Sequence, residues 1–86
     1  DTAEQTEIIF RKLSQILEKE GGGLSNLVKI NAFIVDIREY EIYNSIRNRI
    51  FSEFQSLPAS ATIGGAQLVR PTCRIEIDGV AFVPNP

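Results

Sequence analysis

The run Leu27–Val35 is apolar on both of its faces. In a strand, successive side chains point to opposite sides. Val28, Ile30, Ala32 and Ile34 therefore share one side, and Leu27, Lys29, Asn31, Phe33 and Val35 share the other. A strand of this kind needs cover on both faces. A chain of 86 residues has little material with which to provide it. That shortage governs what the chain can fold into.

Two helices are available as cover. Thr2–Glu20 reads as the first, with Thr2 and Gln5 fitting a capping box. Ile9, Phe10, Leu13, Ile16 and Leu17 form its apolar stripe. Gly21-Gly22-Gly23 stops it, because glycine takes the left-handed backbone that a helix end often needs. Asp36, with Glu39 three residues on, caps a second helix running to about Phe54. Its inner side carries Tyr43, Ile46, Ile50, Phe51 and Phe54. Two more strands are expected at Ala61–Leu68 and Arg74–Val83, joined by a turn at Arg70-Pro71. In the last, Ile75, Ile77, Gly79 and Ala81 alternate with Glu76, Asp78, Val80 and Phe82. The order helix, strand, helix, strand, strand gives an α+β domain with two helices on one face of a mixed or antiparallel sheet. Phe33, Val35, Val80 and Phe82 remain on the other face. An apolar patch of that size on a small domain points to self-association.

Composition narrows the chemistry. The net charge is −2, and Lys and Arg are scattered among acids, so there is no electrostatic footprint for nucleic acid. No apolar run approaches the ~20 residues that span a bilayer. There is no histidine, which excludes a His-based triad or a His metal site. Nothing implies a metal or another cofactor. The single cysteine, Cys73, cannot form an internal disulfide, and it fits a reducing, cytoplasmic setting as an inert structural residue.

Two segments carry a resemblance. They are Leu57-Pro58-Ala59-Ser60-Ala61-Thr62-Ile63 and Cys73-Arg74-Ile75-Glu76-Ile77-Asp78-Gly79-Val80-Ala81. Together they resemble the reactive-intermediate (enamine/imine) deaminase family, known as RidA or YjgF and also called endoribonuclease L-PSP. In that family a Pro-Ala-Arg-Ala/Ser-Thr/Cys-Val segment supplies an arginine that clamps a substrate carboxylate. A later Ile-Glu-Ile-Glu-Ala segment supplies a glutamate that handles water. The resemblance implies a chorismate mutase-like homotrimer with small-molecule clefts between subunits, taking an imino or enamine acid. It also implies that residues 1–86 are a single RidA-like domain lacking its N-terminal strands.

Carried over residue by residue, the resemblance makes Glu76 the catalytic candidate, and Ser60, Thr62 and Asn44 the substrate-binding candidates. On the residues alone, Glu76 reads as a solvated or ion-paired carboxylate, bonded to Arg74 or Lys29. Asn44 reads equally as a helix-surface amide. Ser60 stands where the family has its arginine, and a hydroxyl cannot replace a two-pronged permanent charge. Arg70, in the next loop, is a conceivable stand-in. Gly64-Gly65 reads as a weakened strand that reshapes the cleft wall. Two functions follow: a deaminase with Glu76 positioning water, weak on small imino acids, or a non-catalytic member that binds a metabolite in the same cleft.

Overall fold

Asp1, not Thr2, caps the first helix: its Oδ1 accepts the Glu4 amide at 2.8 Å. In this computed structural model, which describes residues 1–85, α1 spans Thr2–Lys19. Thr2 is buried inside the first turn, and its hydroxyl donates to Glu39 Oε1 at 2.9 Å. Gln5 is likewise diverted from capping. It accepts the Arg74 amide at 2.7 Å and donates to the Thr72 carbonyl at 2.8 Å, tying α1 to the start of the last strand. The helix ends as the glycines require. Gly21 has φ of +82°, its amide bonds the Glu18 carbonyl, and the Gly22 amide bonds the Leu17 carbonyl. Ile16 departs from the expected stripe and is 59% exposed, while Phe10 is buried and Ile9, Leu13 and Leu17 pack against the core.

A 3-10 turn (Leu24–Asn26) leads into β1 (Leu27–Ile34), and a second (Ile37–Glu39) into α2 (Tyr40–Phe51). Asp36 caps that turn, accepting the Arg38 amide at 3.0 Å, and Glu39 is drawn to Arg74 at 2.8 Å instead of completing a capping box. β2 (Ala59–Ile63) and β3 (Ile75–Ala81) complete a mixed sheet in the order β2-β1-β3. β1 and β2 are parallel, with α2 as their crossover, and β1 and β3 are antiparallel.

Ile30, Ala32, Ile34, Ile75 and Ile77 face the helices and are buried with Phe10, Tyr43 and Phe51. Phe10 and Phe51 meet edge to face with centroids 5.5 Å apart, joining α1 to α2. Fully burying each such side chain contributes about 1.5–3 kcal/mol.

Two expectations about the strands need correction. Val28 does not share the helix face with Ile30. A register shift between Leu27 and Lys29 turns Leu27 into the core and leaves Val28 52% exposed. An extra residue in the ladder reverses the alternation beyond it. The second strand is Ala59–Ile63, not 61–68. Its ladder ends at Phe33↔Ile63, where Gly64-Gly65 turns the chain with Gly65 at φ of +69°, and the Ala66 amide then returns to the Ile34 carbonyl at 3.0 Å. Gly64 therefore lies outside the strand, and a Cβ there would meet Ile37 Cβ at 2.5 Å. Glycine is needed because Ile37 rests on that backbone.

The carboxylates at the start of α2 give the fold an acid dependence. Arg38 grips Asp36 through Nε to Oδ1 at 3.0 Å and Nη2 to Oδ2 at 2.8 Å, lowering its carboxyl from 3.8 to about 2. Arg74, then the Thr2 hydroxyl, holds Glu39 below its ordinary 4.5. Both groups are depressed in the folded state. Their contribution is complete above the unfolded pKa values and is lost as pH falls through the folded ones. The melting temperature is expected to fall as pH drops from about 4.5 towards 2, and Glu39→Gln should remove part of that slope. A melting temperature that does not change over this window contradicts the assignment.

Candidate functional site

Tyr40, Asn44, Arg47 and Phe51 recur at three- and four-residue spacing along α2 and share one face. The chain then doubles back, so that Leu57, Pro58 and Ser60 stand opposite this face. Between them lies a pocket of about 570 Å³, lined by Tyr40, Arg47, Asn48, Phe51, Ser52 and Phe54 with Leu57, Pro58 and Ser60; Asn44 is outside the lining and reaches it through its bond to Arg47. Its lining mixes apolar side chains, Phe51, Phe54, Leu57 and Pro58, with polar ones, Tyr40, Arg47, Asn48, Ser52 and Ser60.

Arg47 organises the polar part of the lining. Its Nη1 donates to Ser60 Oγ at 3.0 Å, and its Nη2 donates to Asn44 Oδ1. The guanidinium carbon sits 5.3 Å from the centroid of the Tyr43 ring, within cation–π range. Asn44 Oδ1 also accepts the Tyr40 hydroxyl at 3.3 Å, while Asn44 Nδ2 donates to Glu41 Oε2 at 3.4 Å. The Asn48 side-chain oxygen accepts from Arg47 Nε at 3.4 Å and from Nη2 at 3.3 Å. The acceptors on Arg47 are all neutral. Among the described residues it enters no ion pair.

Ser60 and Asn44, two of the three binding candidates, are thus brought together through Arg47. Thr62 is half-buried further along β2. Ser60 pairs with Ile30 and Thr62 with Ala32, so both face the helix side of the sheet. Glu76 does not join them. It pairs with Phe33, which pairs in turn with Ile63, and all three lie on the outer face. Within one chain the sheet separates Glu76 from Ser60.

Glu76 is exposed between the buried Ile75 and Ile77. Neither expected partner holds it: Arg74 is engaged by Glu39, and Lys29 pairs in register with Val80. Arg70 lines a separate shallow depression with Val35, Leu68 and Cys73, beyond the far end of β1, and is not at Ser60. Cys73 is a free, half-buried thiol. No cluster of three or more His, Cys, Asp or Glu suited to a metal occurs among the described residues, nor any helix long and apolar enough to cross a membrane.

Arg47 is the residue that sequence reasoning missed. Its signal was the helical spacing from Tyr40 and Asn44. Its distance from Ser60 in sequence hid the contact.

The chain belongs to the RidA/YjgF family: the family model described as Endoribonuclease L-PSP matches residues 1–83. A RutC family protein of Aquifex aeolicus is 33% identical over 78 residues, covering 91% of this chain and 62% of its own length. A Dermatophagoides farinae protein named 2-iminobutanoate/2-iminopropanoate deaminase is 28% identical over 83 residues, covering 96% of this chain and 60% of its own length. The crystal structure of a YjgF/YER057c/UK114 family member from Mycobacterium tuberculosis shares the fold, with a TM-score of 0.88 at 23% identity over 96% of this chain and 69% of that one. The chain spans roughly three-fifths of the length of these curated relatives.

Proposed function

We propose that the protein hydrolyses reactive enamine or imine acids to a ketone and ammonia in a cleft completed by a second copy, with Glu76 positioning the water. The observation that carries this reading is the outward placement of an unpaired Glu76 on an apolar face, beside Phe33 and in one row with Ile63. A neighbouring subunit on that face would desolvate the carboxylate and bring it to the ligand from the far side. In the reaction the water oxygen bonds to the imine carbon while the carboxylate takes its proton. The proton passes to nitrogen, giving a carbinolamine; the carboxylate then takes the hydroxyl proton and hands it to the same nitrogen, so that the carbon–oxygen double bond forms as the carbon–nitrogen bond breaks and ammonia leaves the ketone. The resemblance to a named 2-iminobutanoate/2-iminopropanoate deaminase supports the substrate class. The homotrimer and a cytoplasmic, reducing setting belong to the same proposal.

The test is ammonia release from freshly generated 2-iminopropanoate by the purified protein. Slow turnover above the buffer rate is expected. No acceleration at all favours the second reading, a non-catalytic metabolite binder, whose specific support is the uncharged Ser60 in place of the family arginine. RNA cleavage gains no support from a chain without histidine and with a net charge of −2.

Restoring the arginine by Ser60→Arg is expected to fail on its own. Arg47 Nη1 already lies 3.0 Å from Ser60 Oγ, so the new guanidinium would meet the old one. Like charges about 4 Å apart repel by roughly 1–4 kcal/mol between water and a protein surface. The single variant should turn over 2-iminopropanoate more slowly than the unmodified protein. Ser60→Arg with Arg47→Ala should recover at least the original rate. A single variant that is faster than the unmodified protein shows that Arg47 does not hold this space.

A further inference from the structure

We propose that Arg47 supplies, from the helix, the fixed cation that Ser60 does not, and that the pocket beside it takes a small carboxylate bearing an aromatic or branched apolar group. Three observations converge on this. The first is charge. Arg47 is half-buried and held by the neutral side chains of Asn44, Asn48 and Ser60. These bonds orient the guanidinium without neutralising it. The nearest acid in the network, Glu41, is spent on the far end of the Asn44 amide, which turns Asn44 Oδ1 towards Arg47. The Nε–Nη2 edge carries the two long bonds to Asn48, at 3.4 and 3.3 Å, and a planar carboxylate that arrives with the ligand would take that edge by displacing the neutral amide.

The second observation is space. The pocket holds about 570 Å³, inside the ~300–1,000 Å³ range of small-molecule sites and far more than a three-carbon acid fills. The third is the lining. Phe51 and Phe54 stand with ring centroids 5.5 Å apart, and Leu57 is 67% exposed across from them. Phe54 and the exposed Leu57 offer apolar surface in the lining, with the core residue Phe51 packed against Phe54. With the carboxylate on Arg47, a side chain of phenyl or branched-alkyl size would cover far more of this surface than a methyl. The chain would then favour bulky 2-imino acids, or their stable carboxylate analogues, over the three- and four-carbon compounds.

This takes from the proposal above only that Ser60 lines the ligand pocket, and it holds for a catalytic or a non-catalytic member. The experiment is calorimetric titration of the purified protein with 3-phenylpropanoate, its uncharged amide and propanoate. The acid should bind about ten- to a hundredfold tighter than the amide, from the charge-assisted pair. It should bind about tenfold or more tighter than propanoate, from the buried ring. Arg47→Gln should reduce the acid to the level of the amide. Arg70→Gln, in the separate depression, should leave binding unchanged. Equal affinities for acid and amide, an unaltered Arg47→Gln, equal affinities for the phenyl and methyl acids, or no binding by the unmodified protein at millimolar concentration would each overturn the inference. Binding without turnover counts against the hydrolase alone. Turnover that survives Arg47→Gln counts against this inference alone.

Discussion

Replacing Phe82 or Val80 by aspartate is expected to dissociate the proposed trimer into monomers. The outer face of the sheet displays Phe82 at 69% exposure, Val80 at 59%, Val28 at 52% and Ile63 at 50%, while both helices cover the opposite face. The end of β3 is not frayed there, because the Phe82 amide bonds the Asn26 carbonyl at 3.0 Å. The backbone that presents the ring is therefore anchored. Exposed apolar side chains gathered on one fixed face mark an interface, and three-fold closure would repeat each buried contact in every subunit. An aspartate buried there without a partner costs several kcal/mol per site. At about 1.4 kcal/mol per tenfold, the association constant should fall by several powers of ten. Ile16→Asp tests whether any apolar surface would do, since Ile16 is 59% exposed but lies on α1 across the domain. It should leave assembly intact. Light scattering that finds the unmodified protein monomeric at micromolar concentration ends the argument.

That outer face was legible in the sequence because strand alternation is a local signal. Ile75, Ile77 and Ala81 turned inward and Glu76, Asp78, Val80 and Phe82 outward as their spacing requires. Gly21 ended α1 for an equally local reason. The misreadings arose wherever a distant group competed. Thr2 had the chemistry of a cap, yet Glu39 drew its hydroxyl inward and Asp1 took the role. Glu39 could have closed a capping box, but Arg74 offered a charge. Val28 followed the alternation only until the register shifted at Leu27. β2, by contrast, stopped at Gly64-Gly65, where Gly65 turns the backbone with φ of +69°, so the two glycines marked the end of the strand and not only a weak point within it.

The candidate site divides along the same line. Ser60 and Asn44 could be named from motif positions, but the guanidinium between them could not. Arg47 is set against Ser60 by the return of the chain through Leu57 and Pro58, a tertiary event. The motif also gave no hint that Glu76 and Ser60 occupy opposite faces. That follows only from the register of both strands against β1.

This separation leads to the strongest test of the cleft. Glu76→Gln is expected to lower the rate of imine hydrolysis by about 10²–10⁴-fold, because an amide cannot accept the proton of the attacking water. Arg47→Gln should also be defective, through weaker ligand binding. If each site combines Arg47 of one subunit with Glu76 of its neighbour, the two defects complement. A trimer that mixes Glu76→Gln chains with Arg47→Gln chains contains interfaces where both native residues meet. Each mixed trimer, whichever variant is in excess, has one such site among its three, and that site should work at the full rate. Co-expression of the two variants under different affinity tags, followed by tandem purification, isolates the mixed assemblies. Ammonia release well above that of either parent is the expected result. Activity no higher than the average of the parents means that Glu76 and Arg47 do not meet across an interface, and the shared cleft fails with it. The outcome does not depend on naming the natural substrate, because any imino acid that the unmodified protein hydrolyses serves as the reporter.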